Sequence, residues 1–150
     1  MSQLIQHLRQ HLPENQVITD DLRRLAYGTD ASFYRLIPQV IAVVESESEL
    51  QAVLKTAKQT TTPVTFRAAG TSLSGQAITD GILALIGEGF ATCEINADAS
   101  KVKAGPGIVG GEVNRRLAPH GKKIGPDPAS IGAAKIGGIA ANNSSGMCCG

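Results

Sequence analysis

"VIAVVESESELQAVLKTAKQTTTPVTFRAAGTSLSGQ", residues 40–76, is the stretch in which the fold declares itself. Its opening "VIAVV" is a continuous apolar, largely β-branched run, the pattern of a strand buried on both faces. Ser46 and Glu49 then form a capping-box pair, while Leu50, Val53, Leu54 and Ala57 recur at i, i+3, i+4 and i+7. Together these predict an amphipathic helix whose inward face those four residues make. Pro63 ends it, and "PVTFR" supplies a second short strand. Strand, helix and strand within residues 40–67 make a βαβ unit, whose strands run parallel with a right-handed crossover. The next segment, "RAAGTSLSGQ" at 67–76, therefore leaves the carboxyl end of a parallel strand.

Upstream, Leu4, Ile5, Leu8 and Leu12 fall on one helical face, with Ser2 as cap and Pro13 as terminator. A second helix is expected from Thr19 or Asp20 to Gly28 with Leu22, Leu25 and Ala26 inward, before the irregular "GTDASFYRLIP". Downstream, "GILALI", "ATCEIN" and "KVKAG" read as strands, the last two as a hairpin around "ADAS" that makes the sheet mixed. "IVGGEVNRRLAPHG" is a helix with Val109, Val113 and Leu117 on one face, and residues 122–150 show almost no periodicity. The fold class is α+β: a mixed sheet with a βαβ unit and flanking helices. The expected organisation is a helical lead-in over 1–36, a first αβ subdomain over 37–105 and a second segment starting at 106–150.

With 150 residues the chain can bury a core, and a formal charge of +1 without charge blocks gives no footprint for nucleic acid or an anionic membrane. The first residues lack the apolar run of a signal peptide, and no stretch is long enough to span a bilayer, so a cytoplasmic protein is expected. Cys93, Cys148 and Cys149 fit neither a disulfide framework nor a zinc site, and no metal site is expected. His7, His11 and His120 sit in predicted helices and read as surface or packing residues. Seventeen glycines and no tryptophan point to a ligand held by main chain.

"GPGIVG" at 105–110 fits the dinucleotide pattern G-x-G-x-x-G, with Asp127 where a ribose-binding acid could stand. No second parallel strand follows its helix, however, and a tight strand-to-helix turn is the better account of Gly105, Gly107 and Gly110. The segment 67–76 is not a Walker loop either, since no lysine lies between 59 and 100. What it offers is a run of amides beside small side chains, able to curl against a diphosphate, with the hydroxyls of Thr71, Ser72 and Ser74 as further donors. "GPDPASIGAAKIGGIAANNSSG" is a second such segment, stiffened by two prolines. A long, flat, partly apolar cofactor would explain both.

"PVTFRAAGTSLSGQ", "AGPGIVGGEVNRRLAPHGKKIGPDPAS" and "IGGIAANNSSG", in this order, resemble the FAD-binding domain of the vanillyl-alcohol oxidase and p-cresol methylhydroxylase superfamily. The resemblance spans residues 17–150 and lies nearest the D-lactate, glycolate and D-2-hydroxyglutarate dehydrogenase branch. It implies an FAD-binding domain of the p-cresol methylhydroxylase type, with Arg67, Ala68, Ala69, Gly70, Thr71, Ser72, Leu73, Ser74, Gly75 and Gln76 as the pyrophosphate loop. It also implies that Pro126, Asp127, Pro128, Ala129 and Ser130 run beside the flavin and its ribityl-diphosphate chain. Gly137, Gly138, Ala140, Asn142, Ser145 and Gly146 would line the isoalloxazine and adenosine sides. Asp127 also fits an exposed turn, and Asn142 and Asn143 also fit the cap of a turn; both readings stay open.

In covalent members a histidine can stand in the loop near the position of Thr71, so FAD is expected to bind non-covalently. A thioether to Cys148 or Cys149 is the less favoured course. The resemblance further implies an N-terminal fragment of an enzyme that oxidises a small D-2-hydroxy acid by hydride transfer to flavin. Substrate and C-terminal domains are then absent, no catalytic residue lies in these 150, and the fragment alone is inactive. "NNSSGMCCG" is most similar to long bacterial members with a C-terminal iron–sulfur part, so a cluster there, and a peripheral place at the inner membrane, remain open to the complete protein. Its electron acceptor is not indicated. Two other readings compete: a reductase of the same fold with another substrate, and a nucleotide-binding module without a redox role.

Overall fold

In a computed structural model, which describes residues 2–146, the chain divides into two units, one ending at Gly87 and the next starting at Glu88. Cys148 and Cys149, with the thioether considered for them, lie outside the described residues.

The first unit runs α1 (Gln3–Arg9), β1 (Val17–Ile18), α2 (Asp21–Ala26), β2 (Val40–Val44), α3 (Glu47–Thr60), β3 (Val64–Arg67) and β4 (Ile82–Ile86). The sheet order is β1-β2-β4-β3. Both strands of the expected βαβ unit run parallel, but to β4, which lies between them, with Val40 and Val64 both in register with Ile82. The antiparallel partner that makes the sheet mixed is β1, at the other edge. A two-residue strand is too short to show a period in sequence. Val40, Ile41, Ala42, Val44, Ile82, Leu83 and Ala84 are buried, which is why the two central strands read as unbroken apolar runs.

Helix starts follow the capping rules. Ser2 accepts the amide of Ile5, and Ser46 that of Glu49 at 3.3 Å, while the Glu49 carboxylate accepts the Glu45 amide at 2.7 Å. Helix faces follow them less well. On α3, which packs on α1, β2 and β4, the buried strip is Val53, Thr56 and Ala57, and Leu54 is exposed rather than inward. On α2 the expected inward face does not form: Leu22 is 78% exposed, and Leu25 and Ala26 are also exposed. This six-residue helix is instead tied inward by Arg24, whose Nε donates to the carbonyl of Pro38 at 2.6 Å.

The second unit holds β5 (Cys93–Ile95) and β6 (Val102–Ala104), then α4 (Gly110–Leu117) and α5 (Ile136–Ala141). The predicted hairpin forms, but as a two-stranded sheet of its own. Ile108, Val113 and Leu117 make its core, with Cys93, Ile95, Val102, Ala104, Ile124 and Ile136 packed against them. Val109 caps α4 rather than joining its face. Helix α5, with two glycines in six residues, gave no helical signal.

Candidate functional site

Segment 67–76 follows β3 directly, at the carboxyl end of a parallel edge strand. Gly70 and Gly75 have φ of +74° and +72°, the left-handed conformation that glycine adopts without strain. Between them Ser72 acts as a hub. Its Oγ accepts the amides of Ser74 and Gln76, each at 3.2 Å, and donates to Oε1 of Gln76 at 2.9 Å. The hydroxyl expected to face a ligand therefore shapes the turn. The amides of Thr71, Ser72 and Leu73 have no acceptor among the described residues, and the Leu73 side chain is 76% exposed. Ala68, Ala69 and Ser74 complete a segment that contains no carboxylate of its own. These residues suit a diphosphate: amides without a protein acceptor, hydroxyls, and small residues that let a ligand approach the backbone.

Arg67 engages the backbone of neighbouring segments. Its Nη1 donates to the carbonyls of Thr29 at 2.7 Å and of Tyr27 and Ala77 at 3.3 Å, and its guanidinium lies 5.3 Å from the Tyr27 ring centroid. A Cβ on Gly70 would press into this guanidinium.

In the second unit, Pro126, Asp127, Pro128, Ala129 and Ser130 lead into a turn closed by Ile131 and Ala134 amides on the Pro128 and Ser130 carbonyls. Asp127 pairs with Lys123 at 3.5 Å. Gly146 lies against the Asp127 carbonyl, so the two ends of the segment are brought together, with Ser145 exposed beside it. Gly137 sits on Pro106, while Gly138 and Ala140 face outward from α5. Asn142 ends that helix. The amides of Asn143 and Ser144 close back on Ala140 and Ile139, with Asn143 left-handed at φ 46°, a Schellman motif. The two asparagines thus close a helix that the sequence did not announce, and Asn142 Nδ2 donates to Ser144 Oγ at 3.1 Å.

The G-x-G-x-x-G turn has its amides occupied. Gly110 and Gly111, first in α4, donate to the carbonyls of Ala134 and Ile131 at 2.9 and 2.8 Å, and Gly107 donates to Phe90. Gly110 also admits Ile131 and Ile139 where a Cβ would stand. These glycines serve packing, as expected.

Residues 38–150 match the family described as FAD binding domain. The chain belongs to that family. Among curated relatives, this FAD-binding domain is 30% identical over 145 residues to glycolate oxidase subunit GlcD of Escherichia coli, an alignment covering 95% of the chain and 29% of the relative. It is 28% identical to D-2-hydroxyglutarate dehydrogenase of Haemophilus influenzae, over 89% of the chain and 13% of that protein. The chain thus spans less than a third of these relatives' length. Solved structures of alkyldihydroxyacetonephosphate synthase (TM-score 0.80, 20% identity, 97% of this chain and 30% of that one) and p-cresol methylhydroxylase (0.75, 14%, 94% and 29%) share the fold. The chain therefore shares its fold with p-cresol methylhydroxylase over nearly its whole length. Among the described residues no helix is long and apolar enough to cross a membrane, and no group of three His, Cys, Asp or Glu side chains could hold a metal.

Proposed function

We propose that this chain is the FAD-binding portion of a flavin-dependent dehydrogenase for a small D-2-hydroxy acid: D-lactate, glycolate or D-2-hydroxyglutarate. The observation that carries the reading is the carboxylate-free loop at 70–76, with two left-handed glycines and three amides without a protein acceptor among the described residues, in a chain whose relatives act on such acids by name. In this reading Thr71, Ser72 and Leu73 present backbone amides to the diphosphate of FAD, bound without a covalent bond. The residues between Pro126 and Gly146 are a second group assigned to the same cofactor. When bound, FAD supplies a hydride acceptor for the C2 hydrogen of the acid. The base and the cations that hold the substrate carboxylate belong to parts beyond this domain, and the 150 residues alone turn over no substrate.

The test is the absorbance spectrum of the full-length protein as the three acids are added in turn. Bleaching of the flavin band by one of them supports the reading. A yellow protein bleached by NADPH and by none of the acids supports a reductase of the same fold, and a colourless protein that takes up no FAD removes the cofactor from the reading.

A further inference from the structure

The segment "YGTDASFY", residues 27–34, is irregular and has no part in the reading above, yet the loop at 70–77 rests on it. The amide of Ala31 donates to the Gly70 carbonyl at 3.0 Å. The Asp30 carboxylate accepts the amide of Ser32 at 2.9 Å with one oxygen and that of Ala77 at 3.3 Å with the other. Arg67 reaches from the end of β3 to the carbonyls of Tyr27, Thr29 and Ala77. Ala77 is therefore held at both ends of its backbone, N–H by the acid and C=O by the base. Tyr34 lies beneath Gly75, where a Cβ would approach its ring to 3.1 Å.

We propose that Arg67 and Asp30 are a positioning pair for the flavin loop: they hold residues 70–77 in the shape that receives the diphosphate, and neither touches it. This rests on the loop being the FAD site. The cation next to an anion-binding loop then acts through carbonyls behind it. The charges support the arrangement. Burial raises the Asp30 carboxyl, but the Ser32 hydroxyl and amide, the Ala77 amide and the Arg67 charge outweigh it and hold the group ionised. Burial lowers Arg67, opposed by the charge of Asp30.

The decisive feature is the sign of one substitution. A carboxylate that merely stands near a diphosphate repels it, so Asp30→Asn would tighten FAD binding. A carboxylate that shapes the loop makes the same change weaken it. The experiment measures reconstitution of the deflavinated full-length protein with FAD, for Asp30→Asn, Arg67→Met and the double variant, together with amide hydrogen exchange in the flavin-free state. The expected result is a rise in Kd of about tenfold for each single variant, with the double no worse than the weaker single. Exchange at Ala31 and Ala77 speeds up while β2 and β4 amides keep their protection.

Tighter binding in Asp30→Asn overturns the proposal. So does weaker binding in Arg67→Met with Ala31 and Ala77 exchange unchanged, which would make Arg67 a direct ligand. Loss of protection in β2 and β4 to the same degree would reduce the pair to a general stabiliser. Should the wild-type protein take up no FAD, the FAD reading fails, and the exchange data still decide whether the pair holds the loop.

Discussion

The carbonyl oxygen of Asp127 lies against Gly146 so closely that a Cβ at 146 would fall well inside 3.0 Å of it. The obstacle is backbone, which cannot swing aside as a side-chain tip can. Gly146→Ala is therefore expected to cost about 1–3 kcal/mol in denaturant unfolding of the full-length protein. Gly132→Ala, where a Cβ meets nothing within 4 Å, serves as the control and should stay near neutral. Equal stability of the two variants would refute the packing account of Gly146.

Thr61 closes α3 in a left-handed conformation, φ 51° and ψ 41°, which a β-branched residue adopts only under strain. Its amide and that of Thr62 bond back to Lys58 and Ala57, so the turn itself is well satisfied. The side chain is exposed. Replacing it by glycine removes strain without opening a cavity, and Thr61→Gly should stabilise the protein by about 1 kcal/mol, read as a higher melting temperature.

At Gly75 the positive φ and the nearby Tyr34 ring act together against any side chain. Gly75→Val in the full-length protein should strip it of flavin, measured as the flavin-to-protein absorbance ratio after purification. A variant that stays as yellow as the wild type would dismiss the loop as the FAD site.

Acid should act on the loop through Asp30. Burial raises its carboxyl, but the Ser32 and Ala77 hydrogen bonds and the Arg67 charge bring it below the ordinary aspartate range. A carboxyl lowered on folding contributes stability that is complete above its unfolded pKa and disappears as pH falls through the folded one. Exchange at the Ala77 amide should thus show an acid-side loss of protection at pH values below the ordinary aspartate range. Asp30→Asn should lack that transition; its persistence in the variant would assign it to another group.

The helix start at Ser46 is a simpler case. Ser46→Ala removes the acceptor for the Glu49 amide, leaving the carboxylate contact to Glu45 in place, and should cost about 1 kcal/mol in thermal unfolding.

The βαβ unit could be read directly because its signals are local: a β-branched run, a cap, a helical period and a proline. Strand order is a tertiary property, and nothing between residues 40 and 67 says that β4 will lie between β2 and β3. Leu22 and Leu54 misled for another reason. Periodicity identifies an apolar stripe, but which flank of that stripe meets the protein depends on neighbours distant in sequence. In the loop, the directions of Arg67 and Ser72 could not be foreseen from composition. The T-D-A-S context of Asp30 was the available clue, since an aspartate between small residues readily turns its carboxylate onto nearby amides.

The entrance of α4 carries a lesson beyond this molecule. Where a nucleotide-binding helix offers its first amides to phosphate oxygens, here the carbonyls of Ile131 and Ala134 occupy Gly111 and Gly110. The chain's own neutral carbonyl oxygens stand at that point, a peptide mimic of the ligand that the motif advertises. A glycine fingerprint thus records only that oxygen must come close to a helix start, and whether that oxygen belongs to a cofactor or to the protein's own backbone is written elsewhere in the chain.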